Sequence, residues 1–394
     1  MRICFWSTTF QSDNHVLADF LVRAGHDVTV VMENPEGFLR SPIAQVRPFG
    51  GRILPRSAVT PQTAGRGEFD VLVADNHLPS FPLAPRIFVL WHGFGWRVDD
   101  LTKMRNELKR LVGDVTRENP RFRWQAVGDW DREYRIRHSE LDDDNVVALG
   151  SPFSDWLRPD APLRAQLDRD ALQASYSVDL HKPLVLLAPT WHHAGTLGHW
   201  GDEEQLLLRL VQHVGARGAS VLLRMHDRHR YQAEYVRLVE RVAERAGSML
   251  ALKWKNGAPD ATLDLLLADV CISNYSSILN GYYHTGRPSI HIDPHDASAS
   301  EQVTCRMFCG VPVPCTVTSP DQIWKLPPEE HGGLRARSFD ELLAQVDRAL
   351  AEPDCCRSQA AAFIARYVTR ADGHSAARTA HFLERWLKGE EEAA

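Results

Sequence analysis

Four segments gather side chains able to move protons or hold phosphate, and each directly follows an apolar run. In WHGFGWR (91–97), His92 could accept a proton and Arg97 could pair with a phosphate, while two glycines would let backbone approach a ligand closely. In APTWHHAGTLGHW (188–200), Thr190, His192 and His193 open a Gly-rich loop. Histidine spacings of one and six residues there lack the pattern of a zinc site, so the loop reads as a substrate cover. RMHDRHR (224–230) places Arg224, His226 and three more basic or imidazole side chains within seven residues, a local anion-attracting patch. The fourth, ADVCISNYSSILNGYYHTGRPSIHID (268–293), carries Ser276 and Ser277 where an apolar strand should give way to a helix. Hydroxyls and free backbone N–H groups at such a helix start suit a phosphate or pyrophosphate; the plainer reading is an N-cap.

These segments need elements to position them. Strand-like runs at 2–7, 26–32, 69–75, 86–93, 124–129 and 145–152 alternate with helical patterns such as 14–25, 101–112 and 130–141. After a Pro-rich, charged break at 152–183 the pattern restarts. Strands are expected at 183–190, 220–226, 250–255, 269–274 and 288–293, with amphipathic helices at 203–215 and 231–247 and a helical tail from 339. The fold class that follows is α/β, two Rossmann-like domains with parallel sheets facing a cleft. Expected boundaries are 1–157, 158–376 and a C-terminal helix at 377–394 that packs back on the first domain and ends in a disordered tail. Ligands of such sheets bind beyond the carboxyl ends of the strands, which is where the four segments fall. The loop TTFQSDNH (8–15), after the first strand, offers Asp13, Asn14 and His15 to an acceptor, or merely an N-cap.

Composition narrows the class. The 394 residues carry 45 basic and 51 acidic side chains, a net charge of −6, which argues against a nucleic-acid footprint. No apolar run is long enough to span a bilayer, and the start turns polar too early for a secretory signal, so a cytoplasmic protein is expected. Seven cysteines, thinly spread and odd in number, do not read as a disulfide framework; Cys305, Cys309 and Cys315 read as free thiols, not a metal site. Ten Lys or Arg at 103–137 could dock the chain at a membrane surface, but six interleaved acids favour a solvated mixed face. Neither GxxxxGK[ST] nor GxGxxG occurs where nucleotide hydrolysis or dinucleotide binding needs it.

Taken in order, LWHGFGWR, LAPTWHH, LRMHDRHR, ADVCISNYSSILNGYYHTGRPSI and ADGHSAAR (371–378) resemble the motifs of the CDP-glycerol (teichoic-acid) glycerophosphotransferase family, across about residues 86–385. The resemblance implies a GT-B fold, with 1–157 binding the acceptor and 158–376 the nucleotide donor, and transfer of an alditol phosphate, glycerol or ribitol phosphate, from a CDP-linked donor to a hydroxyl acceptor in bacterial envelope synthesis. It needs no metal and no cofactor beyond the donor. His92 would be the general base and His226 would contact donor phosphate or protonate the leaving group. Ser276, Ser277, Thr190, Arg224, Ser375 and Arg378 would form the phosphate environment. Asp13, Asn14, His15, Trp96 and Arg97 would face the acceptor, a polyol phosphate or glycan that the family uses in lipid-linked form, with peripheral contact at the inner face of the membrane.

This sequence departs from the family in four places: HGFGW stands for HGTP, HH for the Arg after PTW, Asp227 for the Pro after His226, and Asn274 for the Asp before Tyr-Ser-Ser. Those changes keep a second reading open, a nucleotide-sugar GT-B glycosyltransferase using a UDP-, CDP- or CMP-linked donor in capsule, lipopolysaccharide or natural-product glycosylation. A third is a non-catalytic nucleotide-binding scaffold. Trp91, Phe94 and Trp96 would suit stacking on a sugar, or would simply pack.

Overall fold

The computed structural model describes residues 1–8, 10–62, 68–75, 77–90, 94, 102–189, 196–226, 232–254, 260–274, 276–293, 299–308, 311–320, 326 and 328–390. It divides into two compact units. Unit 1 holds residues 1–165, 259–262 and 363–394; unit 2 holds 166–258 and 263–362.

Seven parallel strands make the sheet of unit 1: β1 (Arg2–Trp6), β2 (Asp27–Met32), β3 (Arg52–Pro55), β4 (Val71–Ala74), β5 (Ile87–Leu90), β6 (Phe122–Ala126) and β7 (Val146–Ala148). Their order is β3-β2-β1-β4-β5-β6-β7. Every residue of β4 through β7 is buried, as a parallel sheet covered on both faces requires. The helix Ser12–Arg23 returns from β1 and stops at Ala24 and Gly25, the latter at φ +85, where a residue without Cβ is at ease. In the helix Asp129–Ser139, Arg135 and Asp131 form a fully buried ion pair at 2.8 Å. Asp131 also accepts the Val127 N–H, and Arg135 lies 5.5 Å from the Trp124 ring centre, so the buried charges are compensated.

Unit 2 repeats the plan with six parallel strands in the order β10-β9-β8-β11-β12-β15. These are β8 (Leu184–Leu187), β9 (Ser220–Met225), β10 (Leu250–Trp254), β11 (Val270–Ser273), β12 (Ser289–Ile292) and β15 (Leu334–Ala336). A separate antiparallel hairpin joins β13 (Ala299–Phe308) to β14 (Val311–Pro320). The helix Glu203–Gly215 starts on an Asp202 side-chain cap and buries Leu206, Leu207, Leu210, Val211 and Val214 against the sheet, the stripe its periodicity foretells.

The expected strands all form, and four strands were not anticipated: β3, β13, β14 and β15. β3 is a half-exposed edge strand with little apolar signal, β15 is three residues long, and β14 contains Pro312, Pro314 and Pro320, which argue against a strand. The units divide at 165/166 where 157/158 was expected, and the whole of 363–394 packs with unit 1 where only 377–394 was expected to. An aromatic contact accounts for the added residues: Phe363 and Tyr367 pack on each other and, with Phe94, beside Trp130 of unit 1.

Candidate active site

In unit 2 the strand order reverses between β8 and β11, since the chain runs from β8 outward to β10 and returns on the other side. A ligand crevice forms beyond the carboxyl ends of strands at such a point. β11 delivers Ser276 and Ser277 there, half-buried, before the helix Ile278–Tyr283. Ser276 N–H donates to the Asn274 carbonyl at 2.7 Å, folding the chain into a tight turn, and Ser276 Oγ accepts weakly from Ile278 N–H at 3.4 Å. Ser277 is already helical in backbone and its side chain caps nothing. What fixes this turn lies below it: Leu279, Tyr282 and Tyr283 are buried, with Tyr282 Oη donating to the Ala268 carbonyl at 3.0 Å. Tyr283 Oη meets His291 Nε2 at 2.6 Å, and Gly286 at φ +71 ends the element where a stop was expected.

His226 follows β9 immediately and is half-buried. β9 and β11 flank β8, so their ends stand about 10 Å apart at the usual strand spacing. Thr190, expected after β8, lies outside the described residues, as do His92, Trp96 and Arg97.

Arg224 is not presented to a ligand. It is buried, and its Nη1 donates to Asp264 Oδ2 at 2.7 Å. The same carboxylate accepts Lys253 Nζ at 2.5 Å and Tyr176 Oη at 2.7 Å. Lys253 is the register partner of Arg224 across β9 and β10, so two cations and a phenol converge on one buried anion beneath the carboxyl edge. Two residues on from Arg224 comes His226, whose approach this network stiffens.

Three expected acceptor contacts also turn inward. Asp13 is buried in unit 1, its Oδ1 accepting Ser151 Oγ at 2.5 Å and Phe153 N–H at 2.9 Å, and burial raises its pKa to about 6. It thus caps the short helix Pro152–Leu157 from outside. His15 Nδ1 bonds Asp260 Oδ2 at 3.1 Å, both side chains sealed from solvent, with Phe10, Phe38 and Trp156 around the ring. Burial pushes Asp260 toward its neutral form, yet the bond and charge of His15 and the bonds from Thr262 hold its pKa below the ordinary value. Asn14 is buried and reaches Ser7 Oγ at 3.5 Å.

Ser375 and Arg378, expected at phosphate, serve the packing of the helix Ser375–Lys388 in unit 1. Ser375 is fully buried, and the Ser375 and Ala376 N–H groups donate to the two oxygens of Asp155. Arg378 reaches the carbonyls of Leu149 and Arg370 and pairs with Asp372, whose pKa falls to about 2 chiefly through that bond. Phe94 stacks on Trp130 with ring centres 4.8 Å apart, a packing contact. Among the described residues no group of three or more His, Cys, Asp or Glu could hold a metal, and no helix is long and apolar enough to cross a membrane.

Other polar residues at the carboxyl edge of unit 1 escaped the sequence reading: Glu33 after β2, Arg56 after β3, and Asp75 and His77 after β4. The strand read at 69–75 did place Asp75 at an edge, whereas Arg56 could be found only by finding β3.

Residues 130–298 match the model of the family described as CDP-glycerol:poly(glycerophosphate) glycerophosphotransferase. No curated protein gives a match to the sequence. Among solved structures, the wall teichoic acid polymerase TagF superposes with a TM-score of 0.68 at 13% identity, over 100% of this chain and 90% of that one. A variant of that polymerase soaked with CDPG gives 0.69 at 14%, over 99% and 90%. UDP-GlcNAc 2-epimerase from Methanocaldococcus jannaschii, in complex with UDP-GlcNAc and UDP, gives 0.56 at 10%, over 98% and 99%. At such identities the likeness is one of fold, two parallel-sheet α/β units of the GT-B kind. The chain is therefore a transferase of GT-B fold whose residues 130–298 match the CDP-glycerol:poly(glycerophosphate) glycerophosphotransferase family, the one its motifs resemble.

Proposed function

We propose that the protein transfers an alditol phosphate from a CDP-linked donor to a hydroxyl acceptor in teichoic-acid-type polymer synthesis. The observation that carries this reading is the Ser276–Ser277 turn at the strand-order reversal of unit 2, inside the segment that matches the family. The acceptor oxygen attacks the phosphorus of the transferred alditol phosphate. An O–P bond forms, the pyrophosphate P–O bond breaks, and CMP departs. His92 takes the hydroxyl proton. His226 steadies or protonates the leaving phosphate, where fixed donors matter most because charge accumulates there. Ser276, Ser277 and Thr190 hold the donor phosphates with their hydroxyls and the adjoining N–H groups. Arg224 acts beneath them through Asp264.

The reading is tested by incubating the protein with CDP-glycerol and a glycerol-terminated acceptor and identifying the new bond. Release of CMP with a phosphodiester product is expected. A glycoside formed from a nucleotide sugar, with CDP-glycerol left intact, overturns it.

A further inference from the structure

The hairpin of unit 2 forms a sheet of its own. β13 and β14 pair throughout Ala299–Phe308 and Val311–Pro320, and among the described residues neither strand pairs with any other. Each is ten residues long, whereas the strands of the two parallel sheets run to six at most. An isolated two-stranded ribbon is marginal in water, because the backbone groups along both outer edges lack a ladder partner. Two residues connect Phe308 to Val311, and a ladder closed in that way starts from a hydrogen-bonded pair and alternates from there. Pro312, Pro314 and Pro320 then all fall in non-hydrogen-bonded pairs, with Met307, Cys305 and Ala299. Their nitrogens belong to the outer edge of β14, where a missing N–H costs the ladder nothing, so a proline-bearing segment can still form a strand. The two edges are left unequal. On the outer edge of β14 only Thr316 and Thr318 keep an N–H, whereas Ala299, Glu301, Val303, Cys305 and Met307 each carry one on the outer edge of β13.

We propose that the outer edge of β13 pairs antiparallel with β13 of a second copy of this chain, making a four-stranded sheet across a two-fold axis. Each copy brings one open edge and one blunted by proline, so the association closes at two. The outward positions fix the register. They are all matched only when the axis passes through Val303, which sets Val303 against its own counterpart, Glu301 against Cys305 and Ala299 against Met307. The charges favour a second copy in this orientation. β13 carries one acid, Glu301, toward its start and one base, Arg306, toward its end. Antiparallel copies bring unlike charges to the same end of the new sheet, while parallel copies would set Glu301 beside Glu301 and Arg306 beside Arg306. The proposal is independent of the transferase reading.

Sedimentation equilibrium of the full chain across the micromolar range tests this directly. The protein should be a dimer that dissociates on dilution. Val303→Pro removes an N–H from the outer edge of β13 and none from the β13–β14 ladder, and should weaken association roughly tenfold or more. Thr316→Pro makes the equivalent change on the outer edge of β14 and should leave association within about twofold. Glu301→Arg, which removes no backbone group, should weaken association about threefold at low salt, and adding Arg306→Glu should restore it. A monomer throughout the range overturns the proposal and leaves the edge to a strand of a different protein. Dimerisation that Val303→Pro does not weaken, that Thr316→Pro weakens as much, or that the charge exchange fails to restore overturns it as well.

Discussion

Replacing Asp13 by Asn separates an architectural carboxylate from an acceptor contact. In the folded protein the carboxyl keeps its proton up to about pH 6 because burial penalises the charge, while in the unfolded chain it ionises near its ordinary 3.8. Between those values the native state binds more protons than the unfolded one. Stability therefore falls as pH rises through that window and stays lowered above it. At 1.36 kcal/mol per pKa unit, a shift of this size lowers stability by about 3 kcal/mol. Asparagine keeps an oxygen for Ser151 Oγ and Phe153 N–H without the charge. The variant should therefore match the original protein near pH 4 and exceed it by up to about 3 kcal/mol at pH 7–8. Asp155, whose pKa burial also raises, contributes to the shift of Asp13 through its charge, so relief of that repulsion in the variant works in the same direction. Urea unfolding at pH 4, 5, 6, 7 and 8 reads the effect. A difference that is constant in pH, or one that grows toward acid, would refute the reasoning. If the variant instead raises the KM for acceptor with unchanged stability, Asp13 belongs to the acceptor site after all.

Four further outcomes are expected. CDP should stabilise the chain against heat more than UDP or GDP, by about 2.7 kcal/mol at a hundred times its Kd, and equal effects of all three nucleotides would remove the donor assignment. Alanine at both Ser276 and Ser277 should abolish most of that shift while leaving the unliganded melting point within a few degrees, because both side chains are only half-buried; retention of the full shift would place the phosphates elsewhere. His226→Ala should lower turnover by roughly 100-fold or more with little change in stability, measured as CMP release, and unchanged turnover would clear it of any catalytic part. Asp264→Asn should cost about 3–5 kcal/mol in urea unfolding, since Arg224 and Lys253 would share a buried site without their carboxylate, and a loss below 1 kcal/mol would show the network to be dispensable.

Most of the scaffold was legible because its signals are local. Buried parallel strands such as Val71–Ala74 and Leu184–Leu187 are continuous apolar runs, and their alternation with helices dictates the sheet. The Ser276–Ser277 turn was equally readable, since a β-branched and apolar strand, two serines and a later glycine occur within one short segment. Side-chain partnerships were not. Asp13, Ser375 and Arg378 look like ligand groups until the residues they meet are known, and those lie far along the chain: Ser151 and Phe153 for Asp13, Asp155 for the Ser375 N–H, Leu149 for Arg378. A polar residue next to a strand end is equally suited to capping a neighbouring helix and to gripping a substrate, and sequence spacing does not distinguish the two. Arg56 illustrates the opposite failure. It follows a strand with too little apolar character to stand out, so nothing in the sequence marks it as a strand-end residue.

The two sheet edges differ in how their charged groups are paired, and that difference bears on the proposed reaction. Toward the carboxyl edge of unit 2, Arg224 and Lys253 share one buried carboxylate, two residues before His226. At the edge of unit 1, Glu33 and Asp75 share one guanidinium. The first arrangement carries an excess of positive charge below the strand ends and the second an excess of negative charge, so on the proposed reading an anionic pyrophosphate is better placed near the first. The reaction itself makes the same demand, because negative charge grows on the departing phosphate and the attacking hydroxyl arrives uncharged. A protein with two equally basic edges would bind donor and anionic product alike on both. On the proposed reading, reversing the charge of Glu33 should make the edge of unit 1 more attractive to an anionic donor, an unproductive binding that appears as donor inhibition at high CDP-glycerol.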